Sequence, residues 1–356
     1  MLLLLACSPA VDKADTATCA VPPPETTRLD VPAGYRTVDA PVDAPWLTAL
    51  RTVPINLWYP TDDTTGTAAT YIETWVDGQS LVDAPFAEPA YAAGGCKMPL
   101  VVYSHGSQGW GGNASPLLRH LVAQGWIAAA PDHVGNTLVD DVQPRPVSYS
   151  LTRVADVRAA IDAMEALPDD DPLAGRVDTS RVLVMGHSFG GQTAWLLAGP
   201  TFDTATIAAR CDAGPPGCTE TERAAFEAPA TDPRVVAVLP MDGFAGEDLV
   251  ASSGWDSADR PILYLAKAEE GDDVPFTTAA AADLVWGRFD GACHETFTST
   301  ALSCATYEKE DGLDDVAAYV TSFAAAQVLG ATGEPYAGIL DGTTVVDSRI
   351  TVQSTR

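Results

Sequence analysis

The stretch Arg181-Val182-Leu183-Val184-Met185-Gly186-His187-Ser188-Phe189-Gly190-Gly191 decides the fold of this 356-residue chain. Its apolar first half predicts a buried strand, the Gly-x-Ser-x-Gly pattern predicts a tight turn, and residues 192–198 predict a helix that begins directly afterwards. This order of strand, turn and helix is the context in which a serine is presented as a nucleophile. We therefore expect Ser188 at positive φ, with Gly186 and Gly190 leaving room for neighbouring backbone.

Apolar strand-like segments alternate with helix-like segments on both sides of this turn. The further strands are expected at residues 99–104, 234–241 and 261–266, and the helices at residues 115–124, 151–167, 192–198 and 313–329. Such alternation predicts an α/β fold with a mostly parallel central sheet that is covered by helices on both faces. The length of the chain suits a single large domain of this class.

A serine nucleophile needs a base, and the chain offers five histidines. His105, His120 and His133 precede the serine, and His187 lies inside the turn itself. Only His294 comes late in the chain, which fits the order serine, acid, histidine that accompanies this turn. His294 is therefore the candidate general base.

The orienting carboxylate has two candidate positions, each following a predicted strand. Asp242 comes directly after the strand 234–241 and is flanked by an apolar and a small residue, which favours a rigid, partly buried carboxylate. The next strand leads into a group of four acids that would repel one another in one pocket. We favour Asp242, and keep as alternatives Glu269, Glu270, Asp272 and Asp273.

Two backbone amides are expected to form an oxyanion hole. Phe189 opens the helix after the serine, and Ser107 lies in a glycine-rich loop that follows the strand 99–104. Two aromatic residues near these positions, Trp110 and Phe244, are candidates for an apolar substrate pocket, although such residues more often serve packing.

Several short motifs together resemble one branch of a known superfamily. They are Trp58-Tyr59-Pro60, Tyr103-Ser104-His105-Gly106, Ala130-Pro131-Asp132-His133, the Gly-His-Ser-Phe-Gly-Gly turn at 186–191 and the Gly-x-x-His-x-x-Phe run at 291–297. The chain from about Val31 to Gly330 resembles the α/β-hydrolases of the platelet-activating-factor acetylhydrolase and chlorophyllase-like branch, which is related to bacterial lipases and polyester hydrolases. The resemblance implies a Ser188, His294 and Asp242 triad, with Ser107 and Phe189 as the oxyanion hole. The related lipases place their acid one strand later.

The composition excludes some partners. The chain carries 48 acidic and 20 basic residues, a formal net charge of −28, so the phosphate backbone of a nucleic acid would be repelled. No paired cysteine and histidine spacing predicts a metal site, and no motif predicts an organic cofactor.

The seven cysteines divide into one early residue and an even set of six. Cys7 ends the run Leu4-Leu5-Ala6-Cys7, which resembles the lipobox at which bacterial lipoproteins are acylated. The other six suit an oxidising compartment, and we expect the pairs Cys211 with Cys218, Cys293 with Cys304, and Cys19 with Cys96.

These observations predict the organisation of the chain. Residues 1–28 would be a truncated lipoprotein-type signal with a Thr/Pro-rich tether, residues 29–330 the hydrolase domain with a lid or wall at 199–232, and residues 331–356 a C-terminal extension. We expect an exported protein, periplasmic, attached to the outer membrane through acylated Cys7, or extracellular.

The sequence therefore predicts a serine ester hydrolase that acts on small-molecule, lipid or polymeric esters through an acyl-enzyme. The alternatives are an acyltransferase or a peptidase on the same scaffold, and a catalytically inactive surface binding protein. The oligomeric state is not predicted.

Overall fold

A computed structural model describes residues 21–355, except residues 23, 48–49, 74, 215, 247, 270–273, 301–303 and 305. In this part of the chain, one twisted sheet runs through the molecule and helices cover both of its faces. The expected N-terminal signal, Cys7 and Cys19 with its predicted bond to Cys96 involve residues outside the described part.

The sheet contains eleven strands in the order β11-β10-β9-β8-β7-β5-β6-β2-β1-β4-β3. The strands are β1 (Ala33–Val42), β2 (Arg51–Tyr59), β3 (Ala68–Tyr71), β4 (Trp75–Val82), β5 (Met98–Ser104), β6 (Ile127–Pro131), β7 (Val177–His187), β8 (Val235–Met241), β9 (Ile262–Lys267), β10 (Leu284–Phe289) and β11 (Ile350–Ser354). The consecutive neighbours from β10 to β6 are all parallel, whereas β2 joins β6, and β11 joins β10, in the antiparallel sense. The parallel centre brings the carboxyl ends of its strands to one edge.

The helices lie on both faces of this sheet. They are α1 (Ser115–Val122), α2 (Tyr149–Glu165), α3 (Phe189–Leu197), α4 (Thr204–Ala213), α5 (Glu220–Ala224), α6 (Val274–Thr278), α7 (Lys309–Gln327) and α8 (Tyr336–Asp341). The helices expected from the sequence near 115, 151, 192 and 313 correspond to α1, α2, α3 and α7.

Strand β7 shows why the sheet needs helices on both sides. Val182 and Val184 belong to one apolar cluster, which also includes side chains of α2 and α3. Leu183 and Met185 belong to a second cluster, which includes side chains of α1 and α7. Side chains alternate between the faces of a strand, so a strand that is apolar throughout must be buried on both faces.

Two segments outside the alternating strands and helices of the parallel centre also belong to the domain. Residues 199–232 contain α4 and α5, and the disulfide between Cys211 and Cys218 links the end of α4 to the loop before α5. Residues 331–355 contain α8 and β11, and β11 forms the edge of the sheet beside β10. Among the described residues, none of the helices has the length and apolar character needed to cross a bilayer.

Candidate active site

Ser188 lies between β7 and α3 in a strained backbone conformation. Its φ is 56° and its ψ is −119°, a region that residues with a Cβ rarely occupy. A Cβ on Gly186 would lie 2.1 Å from the carbonyl oxygen of Gly190, and one on Gly190 would lie 1.8 Å from the carbonyl oxygen of Ser104. Both glycines are therefore required by close backbone contacts, which hold the serine at the carboxyl edge of the sheet.

The two expected oxyanion donors belong to elements on either side of Ser188. Phe189 is the first residue of α3, and the first amides of a helix have no acceptor within the helix. The loop after β5 passes close to the serine, since a Cβ on Gly106 would lie 3.2 Å from Ser188 Cβ. Ser107 follows in this loop, and its hydroxyl accepts hydrogen bonds from Asn136 and Arg145 at 3.2 Å each.

His294 and Asp242 are joined by a short hydrogen bond. The distance between His294 Nδ1 and Asp242 Oδ2 is 2.5 Å, although the two residues are 52 positions apart in the chain. The aspartate side chain is 7% exposed and the histidine side chain 38% exposed, so the imidazole remains accessible while its partner is buried. Since Nδ1 contacts the carboxylate, Nε2 is the ring nitrogen left for proton exchange.

Asp242 is fixed by its backbone as well as by its side chain. Its φ is 41°, and its amide donates to the carbonyl oxygen of Leu265 at 2.8 Å. The other carboxylate oxygen accepts from the amide of Lys267 at 3.3 Å. Gly243 then passes so close to Ser188 that a Cβ there would lie 1.9 Å from the serine carbonyl oxygen. The acid candidate and the serine candidate therefore come from adjoining turns.

The alternative acids differ from Asp242 in what the structure shows of them. Glu269 forms an ion pair with the Lys267 ammonium group at 2.5 Å, and its side chain is 55% exposed. Glu270, Asp272 and Asp273 lie outside the described residues. Of the acids that are described, Asp242 is the one bonded to the imidazole of His294.

His187 has a role that the sequence analysis did not assign. Its Nε2 donates to the backbone carbonyl of His294 at 2.7 Å, and the two rings have centroids 4.5 Å apart. Burial lowers the pKa of His187 to about 4, so this ring stays neutral at neutral pH. The residue next to the serine thus anchors the loop that carries the candidate base, and its place inside the turn is the only signal the sequence offers.

The loop that carries His294 is braced from several directions. A disulfide between Cys293 and Cys304 begins at the residue before the histidine. Ser299 donates through both its amide and its hydroxyl to the Asn113 carbonyl oxygen, each at 2.8 Å. On the other side, the carbonyl of Arg349 accepts from the amide of Asp290 at 2.9 Å.

A cleft of about 180 Å³ opens beside the start of α3. Its walls include Phe189 and Gln192 of α3, Arg145 and Tyr149 from the segment before and within α2, and Arg210 from α4. Arg210 is the residue of the segment 199–232 in this lining. Its position next to Phe189 makes it the candidate substrate cleft.

The two aromatic residues expected at a pocket lie in different surroundings. Phe244 packs against Trp195, with ring centroids 5.1 Å apart, and stacks on Trp255 at 5.7 Å. Trp110 is half-buried after the oxyanion loop, and its nearest described ring is that of Trp75 at 6.3 Å. Packing accounts for the position of Phe244, and Trp110 packs with Trp75 against the second apolar cluster.

A larger cavity of about 640 Å³ lies at the opposite edge of the sheet. It is lined by Leu29, Tyr91 and Gln124 among others, and these residues precede β1, β5 and β6. The starts of these strands are at the edge away from Ser188, so this cavity is separate from the candidate site.

A second set of serine, histidine and aspartate lies below the oxyanion loop. The Ser104 hydroxyl contacts His133 Nε2 at 2.8 Å, and His133 Nδ1 contacts Asp156 Oδ2 at 2.9 Å. All three side chains are fully buried, and Asp156 is also paired with Arg51 at 2.9 Å. Ser104 ends a regular strand without the turn that presents Ser188, so this buried set has no access to a substrate.

The described residues contain no group of three or more histidine, cysteine or acidic side chains placed to hold a metal ion. Burial lowers the pKa of His105 and of His133 well below the usual value, so both rings are neutral at neutral pH. Both of these side chains are buried, whereas the side chain of His294 is 38% exposed.

Comparison with known proteins supports the fold. No protein-family profile matches this chain, and no curated protein sequence does so. The solved structure of a ferulic acid esterase from Streptomyces cinnamoneus is similar, with 20% sequence identity and a TM-score of 0.64, over 92% of this chain and 98% of that chain. With its parallel centre, flanking helices and strained serine turn, the chain has the α/β-hydrolase fold.

Proposed function

We propose that this protein is a serine ester hydrolase that works through Ser188, His294 and Asp242. The hydrogen bond between His294 Nδ1 and Asp242 Oδ2 carries the proposal, because it lies beside the strained turn that presents Ser188. A buried carboxylate on Nδ1 fixes the tautomer in which Nε2 accepts a proton. The ferulic acid esterase likeness also favours hydrolysis of esters.

The chemistry follows from the roles of these groups. His294 Nε2 takes the proton of Ser188 as the serine oxygen bonds to the ester carbonyl carbon, and the carbonyl π electrons move onto oxygen. The amides of Phe189 and Ser107 stabilise that oxyanion, and Asp242 stabilises the imidazolium. Collapse breaks the bond to the alcohol, which leaves with the proton from His294. Water, activated in the same way, then releases the acid and regenerates the serine.

Hydrolysis of p-nitrophenyl acetate and butyrate tests the proposal directly. We expect the wild-type chain to hydrolyse these esters and to react covalently with a fluorophosphonate, and we expect S188A to lose both properties. Ser180 is an exposed serine at the other end of β7, so S180A is a matched control that should behave as wild type. Labelling that persists in S188A would remove this serine from the mechanism.

The substrate class is proposed more narrowly from the cleft. Its volume of about 180 Å³ and its aromatic wall at Phe189 and Tyr149 suit a short acyl chain or one aromatic ring. A panel of acetyl, butyryl, octanoyl and hydroxycinnamoyl esters, together with an sn-2 acetyl phospholipid, separates these cases. Preference for the acetyl phospholipid would support a substrate class like that of the platelet-activating-factor acetylhydrolase branch. Preference for methyl ferulate would instead support hydroxycinnamoyl esters as the substrate class.

We also propose that the protein works outside the cytoplasm. The disulfides at Cys211–Cys218 and Cys293–Cys304 support an oxidising compartment. Attachment through acylated Cys7 is part of the same proposal, and mass spectrometry of the mature N-terminus in the native host tests it. An unacylated Cys7 there would contradict the lipid anchor and leave the esterase proposal intact.

A further inference from the structure

Arg153 is a fully buried cation on α2 that lies directly beneath the candidate oxyanion hole. It contacts elements on both sides of Ser188, although no motif in the sequence marks it. Its partners fall into two groups, one in the loop after β5 and one at the start of α3.

The first group fixes the loop that carries Ser107. The Arg153 guanidinium donates to the carbonyl oxygen of His105 and to the Ser104 hydroxyl, the latter at 3.3 Å. It also donates to Asn136 Oδ1 at 2.8 Å, and the amide of that asparagine donates to the Ser107 hydroxyl at 3.2 Å. Through these bonds the arginine controls the backbone on which the first oxyanion donor lies.

The second group fixes Phe189. The centre of the guanidinium lies 4.5 Å from the centroid of the Phe189 ring, within the range of a cation–π contact. Arg153 Nε donates to Thr193 Oγ1 at 3.3 Å, and Thr193 in turn donates to the carbonyl oxygen of Phe189 at 3.1 Å. The residue of the second oxyanion donor is therefore held through its ring and through its backbone.

Burying the charged guanidinium of Arg153 here carries a large desolvation free energy. Its hydrogen bonds end on uncharged oxygens, and the carboxylate of Asp156 is bonded to His133 and Arg51. A methionine would fill a similar volume without the cost of removing a cation from water. Burial lowers the pKa of Arg153 to about 10, which leaves the group charged at neutral pH. A cation retained at this cost points to a use in the reaction.

We propose that Arg153 is a positioning residue that joins the two halves of the oxyanion hole, with its buried charge favouring the negative tetrahedral intermediate. This inference rests on the proposed esterase function. It concerns the transition state, so the loss of Arg153 should lower kcat far more than it changes KM.

The test compares R153M and R153K with R158M. Arg158 lies on the same helix and donates to the carbonyl oxygen of Thr231 at 2.7 Å, away from the candidate site, so R158M controls for the loss of an arginine from α2. We expect R153M to lower kcat on p-nitrophenyl butyrate by about 100-fold or more, with KM changed by less than about threefold. R153K keeps the charge but not the forked hydrogen bonds, and should recover part of that loss.

Each outcome has a defined meaning. Equal kcat values for folded R153M and R158M, or a rise in KM at unchanged kcat, would overturn the inference while S188A still tests the esterase itself. A wild-type chain without ester hydrolysis would overturn both proposals.

A second variant covers the case in which R153M does not fold. N136D is isosteric and sets a carboxylate against the guanidinium, while it removes the donor to Ser107 and neutralises the cation. It also removes the donor to Asp141 at 3.0 Å and sets a second carboxylate beside it, so we expect a lower melting temperature and measure kcat well below it. In the folded variant we expect kcat to fall at least about tenfold. Wild-type kcat in folded N136D would overturn the inference.

Discussion

At the scale of single residues, the candidate site depends on two non-glycine residues at positive φ. Ser188 has φ 56° and Asp242 has φ 41°, and both follow parallel strands that are neighbours in the sheet. Gly243 lets the two turns touch, since any side chain there would overlap the backbone of Ser188. The backbone strain therefore lies at the two residues proposed as nucleophile and acid.

The role of Asp242 can be measured against the described alternative. We expect D242N to lower kcat by about 10⁴, because the amide would favour the wrong imidazole tautomer. E269Q changes a surface ion pair with Lys267 and should keep kcat within about twofold. Steady-state kinetics on p-nitrophenyl butyrate at equal folded concentration gives both values. Near-normal turnover by D242N would exclude it as the orienting acid.

The sequence alone identifies Ser188 and His294 as candidates, because each belongs to a local pattern. The glycines around Ser188 and the late position of His294 are visible in one dimension, because a tight turn and a chain order leave a linear pattern. The contacts of His187 and Arg153 were not predicted, because they join segments that only the fold brings together. His187 contacts a residue 107 positions away, and Arg153 contacts His105 from 48 positions away.

At the scale of elements, the loops at the carboxyl edge do the positioning and the strands hold them. The loop carrying His294 is tied by its own disulfide, by the hydrogen bonds of its Ser299 to Asn113 on a neighbouring segment, and by β11 beyond it. The segment 199–232 has a disulfide of its own, which joins α4, next to Arg210 of the cleft wall, to the loop before α5. The two disulfides thus close loops of similar length, but only the Cys293–Cys304 bond begins next to His294.

This difference gives a prediction for paired cysteine variants. Each double variant, C293S/C304S and C211S/C218S, should lose roughly 2 to 3 kcal/mol of unfolding free energy, since each bond closes a short loop. The fall in kcat should be larger in C293S/C304S, because its loop presents His294, whereas the other bond lies next to Arg210 in the cleft wall. Urea unfolding and steady-state kinetics provide the two readouts. Equal kcat values for the two folded variants would show that the bond beside the histidine has no part in positioning it.

His120 on α1 makes the free energy of unfolding depend on pH. This ring is buried between the Leu29 amide, which donates to Nδ1 at 2.9 Å, and the Thr321 hydroxyl on α7, which is 2.7 Å from Nε2. Burial, with a smaller effect of the Arg28 charge, lowers its pKa to about 4. Between pH 6.5 and pH 4 the unfolded chain therefore binds a proton that the folded chain does not, so this residue costs stability as the pH falls.

The variant H120Q isolates that term. Glutamine keeps an acceptor and a donor but does not titrate, so we expect the stability lost between pH 7 and pH 4.5 to shrink by about 2 kcal/mol. Urea unfolding of both proteins at the two pH values measures the difference. An identical acid sensitivity in H120Q would contradict the assignment of a lowered pKa to this ring.

At the scale of the whole molecule, the sheet order was beyond the reach of the sequence. Alternating segments predicted a parallel centre, and the structure has one. The edge formed by β1 to β4 mixes antiparallel and parallel pairs, the edge strand β11 is antiparallel, and neither edge follows a periodic signal. Edge strands pair through backbone groups, which every residue except proline carries in the same form, so their partners depend on the completed fold. The larger cavity at the opposite edge was not predicted either, because its walls come from segments that are far apart in the chain.

The net charge of −28 is a property of the whole chain and predicts its response to salt. Raising NaCl from about 20 mM to about 500 mM shortens the Debye length from roughly 20 Å to roughly 4 Å, which screens the repulsion among the excess carboxylates. We expect the melting temperature to rise by several degrees, equally in KCl and NaCl at equal ionic strength. A melting temperature that falls or stays constant would contradict a stability cost from self-repulsion.

The pairing of β11 with β10 also means that the candidate site is completed only by the last part of the chain to be synthesised. The ribosome releases the serine turn first and the histidine loop next, whereas the strand that steadies this loop, through Arg349 and Ile350, emerges only later. A nascent chain still lacking this strand would hold its nucleophile without a steadied base. On the proposed mechanism, ester hydrolysis would therefore begin only once these residues have joined the sheet.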